Sequence, residues 1–276
     1  MTNHFEPISR EDYEEPRCVL CMDKDAATPI PQRRVREKLD EYMSRRDYAG
    51  VERHLNYWLC EAQQNRDLRG EFFIRGEMMG HYRKTGNREQ AILSAEEGLR
   101  LIEQLGFEDT LSAGTAYVNA ATVYDAFKLP ERAVELFEKA KGIYEGSLPE
   151  TDGRLGGLYN NMGLAYMALH RFQETRAAFQ RALDIMAQVE NGALDQAITY
   201  LNLANAVELE HGIEAGEQQI GQCLDKAIAL LDDPEAPRDG YYAFVCEKCA
   251  PTFDYYGYFL VANDLNERAR AIYERA

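Results

Sequence analysis

Three asparagines, Asn119, Asn161 and Asn202, stand at intervals of 42 and 41 residues. An amide side chain offers two N–H donors and a carbonyl acceptor. A row of amides at one helical position can therefore pair with the backbone of an extended peptide, or can bond neighbouring helices to one another. Asn160, Asn205, Thr115, Thr122 and Asp125 lie close to them in sequence and extend the candidate polar face.

The cysteines suggest a second chemistry. Cys18 with Cys21, and Cys246 with Cys249, form two CxxC pairs, and four thiolates can hold a zinc ion tetrahedrally. The usual separation between the halves of such a site is about 15–20 residues. Here more than 220 residues intervene. CxxC can also lower a thiol pKa for redox work. At i and i+3 of a helix, Cys246 and Cys249 can instead simply face a core. Zinc is thus a candidate ligand of Cys18, Cys21, Cys246 and Cys249, while the rest of the chain calls for no cofactor.

Catalytic patterns are missing. The sequence contains no GxSxG elbow, no glycine-rich phosphate loop ending in Lys-Ser/Thr and no HExxH. Its five histidines, at positions 4, 54, 81, 170 and 211, show no ligand spacing. A non-enzymatic role is expected.

Charge narrows the partners. With 47 acidic and 31 basic residues the net charge is -16. That balance disfavours nucleic acid, whose phosphates need clustered Lys and Arg, and an anionic membrane surface. A neutral or basic protein or peptide is easier to accommodate. No apolar run reaches the roughly 18 residues of a membrane span, and the acidic start MTNHFEPISREDYEE is unlike a signal peptide. A cytoplasmic location is expected.

Residues that position the asparagines recur with them. Tyr82, Tyr124 and Tyr166 are 42 residues apart, as are Ala91 and Ala133, and Gly98 and Ala140. A fixed period of this size marks a stacked array. Within each period, apolar residues recur every three or four positions, which predicts two helices. Turn signals separate them, Gly86-Asn87 in one unit and Leu129-Pro130 in the next, with proline suited to a first helical position. Met79, Ala121, Gly163 and Ala204 in the first helices, with Ala91, Ala133, Thr175 and Ile220 in the second, mark where paired helices cross closely.

The series Ala121, Tyr124, Ala133, Phe137, Ala140, followed by Gly163, Tyr166, Phe179 and Ala182, resembles the tetratricopeptide repeat. The 42-residue spacing is similar to the long-helix variety found in kinesin light chains and bacterial peptide sensors. Thr175 and Ile220 replace the family's alanine, and Val207 its tyrosine. The resemblance implies an all-α, right-handed superhelical solenoid with the first helices on the concave face. It also implies that asparagine at the position of Asn119, Asn161 and Asn202 contacts a peptide backbone. Relatives that clamp a C-terminal carboxylate use basic residues on those helices. Phe73, Gly76, Thr115, Val118, Gly157, Asn160, Ile198 and Leu201 stand at the equivalent positions of the second to fifth units, and none is basic; the first unit offers Arg33 and Arg36, but Asp40 stands where the clamp needs an asparagine.

Six units are expected, at about residues 33–65, 72–105, 114–147, 156–189, 197–232 and 241–276, preceded by an extended or disordered tail over 1–32. The first unit places Leu39, Tyr42, Val51, Leu55 and Trp58 in register, and the last places Gly257, Ala269, Tyr273 and Ala276. Residues 241–260 carry eight aromatics, suited to sealing the array end or to a homo-oligomer interface. Pro251 should kink or restart the helix there. The tail itself is a candidate occupant of the groove. The resulting expectation is a protein- or peptide-binding scaffold. The alternatives are a peptide-sensing regulator acting through a partner and a zinc- or thiol-dependent protein.

Overall fold

A computed structural model describes residues 28–275 of the chain. Cys18, Cys21 and most of the candidate tail lie outside the described residues. Among the described residues there are twelve helices and no strand. The helices are α1 (Gln32–Ser44), α2 (Tyr48–Gln64), α3 (Leu68–Thr85), α4 (Arg88–Leu105), α5 (Leu111–Ala126), α6 (Pro130–Ser147), α7 (Gly153–Ala168), α8 (Phe172–Met186), α9 (Ala193–His211), α10 (Ile213–Leu231), α11 (Gly240–Tyr255) and α12 (Phe259–Tyr273). The chain divides after Ile74, within α3, into two compact units.

One local solution closes most of the hairpins. The first helix ends with a residue in the left-handed region: Arg46, Gly86, Lys128, His170 or Gly257, with φ of 54°, 75°, 63°, 56° and 84°. The following N–H then turns back onto the carbonyl of an aromatic residue in the last turn. These bonds run Asp47 to Tyr42, Asn87 to Tyr82, Leu129 to Tyr124 and Arg171 to Tyr166, each at 2.9 Å, and Tyr258 to Phe253 at 2.8 Å. Such a bond satisfies a helix-end carbonyl and stops the helix. The next helix starts from a side-chain cap at Asp47, which accepts from the Gly50 N–H, and at Asn87, which accepts from the Gln90 N–H. At α6 the start is Pro130 in the first turn.

In the N-terminal unit, Val35 and Leu39 of α1 and Val51, Leu55 and Ala62 of α2 are buried. Asp67 caps α3: one carboxylate oxygen accepts from the Gly70 N–H at 2.9 Å and the other from the Ile30 N–H at 2.8 Å. A single buried carboxylate thereby fixes both the start of a helix and the chain that leads into α1.

In the second unit, α5 pairs with α6, α7 with α8, α9 with α10 and α11 with α12, and successive pairs join through α4/α5, α6/α7 and α8/α9. The expected crossing residues Met79, Ala121, Gly163 and Ala204, and Ala91, Ala133, Thr175 and Ile220 opposite them, are all buried. Volume is conserved across the crossings by exchange. The Phe179 ring fills the space left by Gly163, whereas in the α3/α4 crossing, two hairpins earlier, the bulk sits on α3. There the Met79 methyl would lie 2.8 Å from a Cβ at Gly98.

The last hairpin corrects two expectations. Gly257 is not a crossing residue: it occupies the turn at φ 84°, and Ala250, Ala262 and Ala269 are the buried small residues. Pro251 neither ends nor restarts the helix, since α11 continues through it to Tyr255. Pro251 is solvent-exposed, and the residues on either side of its turn pack into the core shared by α9, α10, α11 and α12.

Candidate peptide-binding face

Within the second unit the first helices of successive hairpins approach one another directly, α5 with α7, α7 with α9 and α9 with α11. The second helices do not approach each other to that degree. A stack closer along one side than the other curves toward that side, so α5, α7, α9 and α11 line its inner face. All the proposed amide positions lie on these helices.

Their environments differ. Asn119 on α5 is exposed, and its side chain makes no hydrogen bond among the described residues. Asn161 on α7 is half-buried, and its carbonyl oxygen receives only the Asn160 amide at 3.5 Å, the outer limit of such a bond. Asn160 is committed to the next helix. Its oxygen accepts from Asn202 Nδ2 at 2.9 Å and from Thr199 Oγ1 at 3.2 Å, which ties α7 to α9. Asn205 is also in use: its Oδ1 lies 3.1 Å from the hydroxyl of Tyr256, the residue that caps α11, and shares that single proton with Glu208. Thr122 donates to the Val118 carbonyl of its own helix at 2.7 Å, and Thr115 to the Leu111 carbonyl at 3.1 Å. The eight polar positions thus separate into a structural seam and an open set. The open set is Asn119, Asn161 and Asp125.

Asp125 stands half-buried near the end of α5. Burial pushes its carboxyl above the usual range, opposed by the nearby Lys128 cation. A half-desolvated carboxylate is receptive to a cation or a hydrogen-bond donor brought by a ligand.

A row of tyrosine–carboxylate bonds braces the hairpins, and sequence patterns gave no sign of it. Tyr166 donates to Glu138 at 2.5 Å, Tyr159 to Glu145, Tyr241 to Asp195 at 2.8 Å, and Tyr255 and Tyr256 to the two oxygens of Glu208 at 2.5 and 2.7 Å. Three of the aromatics in residues 241–260 therefore bond α9. Burial first, then the adjoining carboxylates, push Tyr159 up to about 12 and Tyr166, Tyr241 and Tyr256 further, whereas for Tyr255 the hydrogen bond to Glu208 is the main cause of the rise.

The pH consequence follows from linkage. An unfolded tyrosine loses its proton near pH 10. In the folded chain the proton is the bridge to the carboxylate. This stabilisation is complete below pH 10 and drains as pH rises above it, over 10 to about 12 for Tyr159 and from 10 to a higher limit for Tyr166, Tyr241 and Tyr256. Thermal melts should show a plateau to about pH 10 and a steep fall beyond it, with tyrosine ionisation at 295 nm lagging behind that of the urea-unfolded chain. Melting temperatures flat to pH 12 would contradict the bridges.

Cys246 and Cys249 are buried in the core of the last two hairpins together with Cys223. Burial raises all three, Cys249 to about 12, and keeps them as protonated packing groups. Among the described residues no cluster of three or more His, Cys, Asp or Glu side chains is arranged to hold a metal. The described histidines are dispersed: His54 ring nitrogen lies 3.2 Å from the Val35 carbonyl, and His170 occupies a turn. No helix among the described residues is long and apolar enough to cross a membrane.

Comparison with known proteins agrees with this architecture. The family described as "Tetratricopeptide repeat" matches residues 155–215, which contain most of α7 and all of α8 and α9. No curated protein matches the chain. Among solved structures, BtubC (BKLC) from P. vanneervenii aligns with a TM-score of 0.62 at 21% identity, covering 72% of this chain and 78% of that one. A putative kinesin light chain with nearly identical TPR-like repeats from Podosopora anserina aligns with a TM-score of 0.51 at 18% identity, covering 72% of this chain and 92% of that one. Residues 155–215 thus match the tetratricopeptide-repeat family, and the 42-residue period with hairpins closed by one recurring turn carries the same helical-repeat fold beyond them.

Proposed function

We propose that the protein is a non-enzymatic scaffold that receives an extended segment of a partner protein along the inner helices of residues 75–276. The supporting observation is the division of labour among the amides. Asn160, Asn202 and Asn205 are spent on helix-to-helix bonds, whereas Asn119 and Asn161 keep donors and acceptors for something else. An extended peptide brings unpaired backbone groups at regular spacing, which is what two such amides on neighbouring helices can register. Asp125 and the acidic balance favour a ligand that is neutral or carries Lys or Arg.

The two sets of asparagines give the test. Asn202→Ala should cost about 1 kcal/mol of stability, because it removes the amide that satisfies half-buried Asn160. Asn119→Ala with Asn161→Ala should leave unfolding unchanged within about 0.5 kcal/mol, as expected of open surface groups. Peptides selected from a displayed random library on the wild type should bind this double variant about tenfold more weakly or worse. Peptides that bind both proteins equally would place the binding surface elsewhere.

A further inference from the structure

The inner face is not the only surface built for contact. Leu209 and Ile213 at the α9/α10 turn are 49% and 52% exposed. Tyr255, Phe259 and Leu260 at the α11/α12 turn are 63%, 59% and 86% exposed. The two turns adjoin, because the Tyr255 hydroxyl is bonded to Glu208, the residue before Leu209. Five large apolar side chains therefore share one edge of the stack. The corresponding edge further up, at the α5/α6 and α7/α8 turns, contributes no large exposed hydrophobic. Single exposed apolar residues need no explanation, but five gathered on two adjoining turns point to an interaction surface.

Charge around the edge selects its occupant. Residues 182–225, which run through α9 and most of α10, contain no Lys or Arg at all, while Glu208, Glu210, Glu214, Glu217 and Asp254 surround the two turns. Glu210 is paired with Arg176 and Glu208 with two phenols. Glu214, Glu217 and Asp254 are exposed. A second copy docked edge to edge would bring these carboxylates against their own counterparts. Residues 1–27, with more acids than bases, are matched no better.

We propose that this edge is a second docking site, for a partner segment that presents an apolar stripe flanked by Lys or Arg, as an amphipathic basic helix does. Leu260, Phe259 and Tyr255 receive the stripe, and the exposed acids of the rim receive the cations. An ordered helix of this kind buries its apolar positions at three- and four-residue spacing in one groove. The site does not involve Asn119 or Asn161 and stands or falls separately from them.

The probe is a synthetic Leu/Lys amphipathic helix carrying a fluorophore, titrated by anisotropy with the full chain. A same-composition peptide with its leucines scattered and a Leu/Glu counterpart serve as controls. The variant Phe259→Ser/Leu260→Ser keeps every charge, so non-specific attraction to an acidic protein is unchanged in it. The amphipathic basic probe should bind the wild type and lose about tenfold or more in affinity on that variant. It should bind Asn119→Ala/Asn161→Ala undiminished, and neither control peptide should match it on the wild type. Equal binding to the wild type and to the Ser/Ser variant would overturn the proposal. So would a concentration-dependent dimer in sedimentation that the Ser/Ser variant abolishes, since it would assign the edge to a second copy. Displacement of the probe by a synthetic peptide of residues 1–27 would assign it to the chain's own N-terminal segment.

Discussion

Phe179→Ala should lower the unfolding free energy by about 3–5 kcal/mol, the range for emptying a buried aromatic site. Its ring is fully buried on α8 and lies over Gly163 of α7, at the crossing of the hairpin. No other side chain can move into the space, because the partner at that point has no side chain to extend. The complementary change is nearly as damaging. Any Cβ at position 163 would collide with ring carbons of Phe179. The preceding hairpin accommodates Ala121 with Phe137 buried at the corresponding place, so the array tolerates one methyl group there when the helices are set for it. Gly163→Val asks for more than that and should cost about 2–3 kcal/mol by overpacking. Combining Gly163→Val with Phe179→Leu should recover part of the loss, since the volumes then offset. Urea unfolding of the three variants measures this. A double variant as unstable as the sum of the single ones would show that the two positions do not share one space.

The Gly163 crossing shows why the fold was legible. A small residue, an aromatic three residues later and a turn at constant spacing are local constraints, so they survive as a period even where Thr175 and Ile220 replace alanine. The same logic explains the misplacement in the last hairpin. Shifting the register by seven residues is nearly two helical turns, so Gly257, Ala269 and Tyr273 still fall every few residues along one stripe. Only the turn itself separates the two registers. Gly257 has the left-handed conformation that a turn needs, and the helix before it runs through Pro251. The candidate site was half legible. Repetition of asparagine placed the amides on the inner helices, but whether an amide is open depends on its neighbours across the stack. Asn202 and Asn161 have equivalent places in their units, yet Asn202 finds Asn160 at 2.9 Å and Asn161 meets only a bond at the limit. Partners such as Thr199 and Tyr256 lie 39 and 51 residues from the amides they meet, and no pattern within one repeat reveals them.

A second large effect is expected where the spacing of the repeat is broken, between α10 and α11. Eight residues separate these helices, and no side chain of the repeat pattern spans them. A polar cluster on the carbonyl of Leu231, the last residue of α10, closes the gap instead. That oxygen accepts from the buried Tyr242 hydroxyl and from Arg238, both at 3.0 Å, and Arg268 of α12 reaches it at 3.5 Å. Arg268 also donates to Tyr242 at 2.9 Å and pairs with Asp232 at 2.7 Å and Asp264 at 2.5 Å. One guanidinium therefore fastens three helices, and only a planar fork presents donors in those directions together. Arg268→Ala should cost about 2 kcal/mol, discounted from a fully buried network because the side chain is 30% exposed. Arg268→Lys keeps the charge and should restore less than half of that. Tyr242→Phe removes another donor to the same carbonyl and the hydroxyl that Arg268 meets, so the cycle with Arg268→Ala should show a coupling of about 1 kcal/mol. Amide exchange in the last turn of α10 and the first turn of α11 should accelerate in Arg268→Ala, while α5 to α8 stay protected. A loss below about 0.5 kcal/mol with additive effects would mean that the apolar core around Phe253 and Leu265 holds these helices without the cluster.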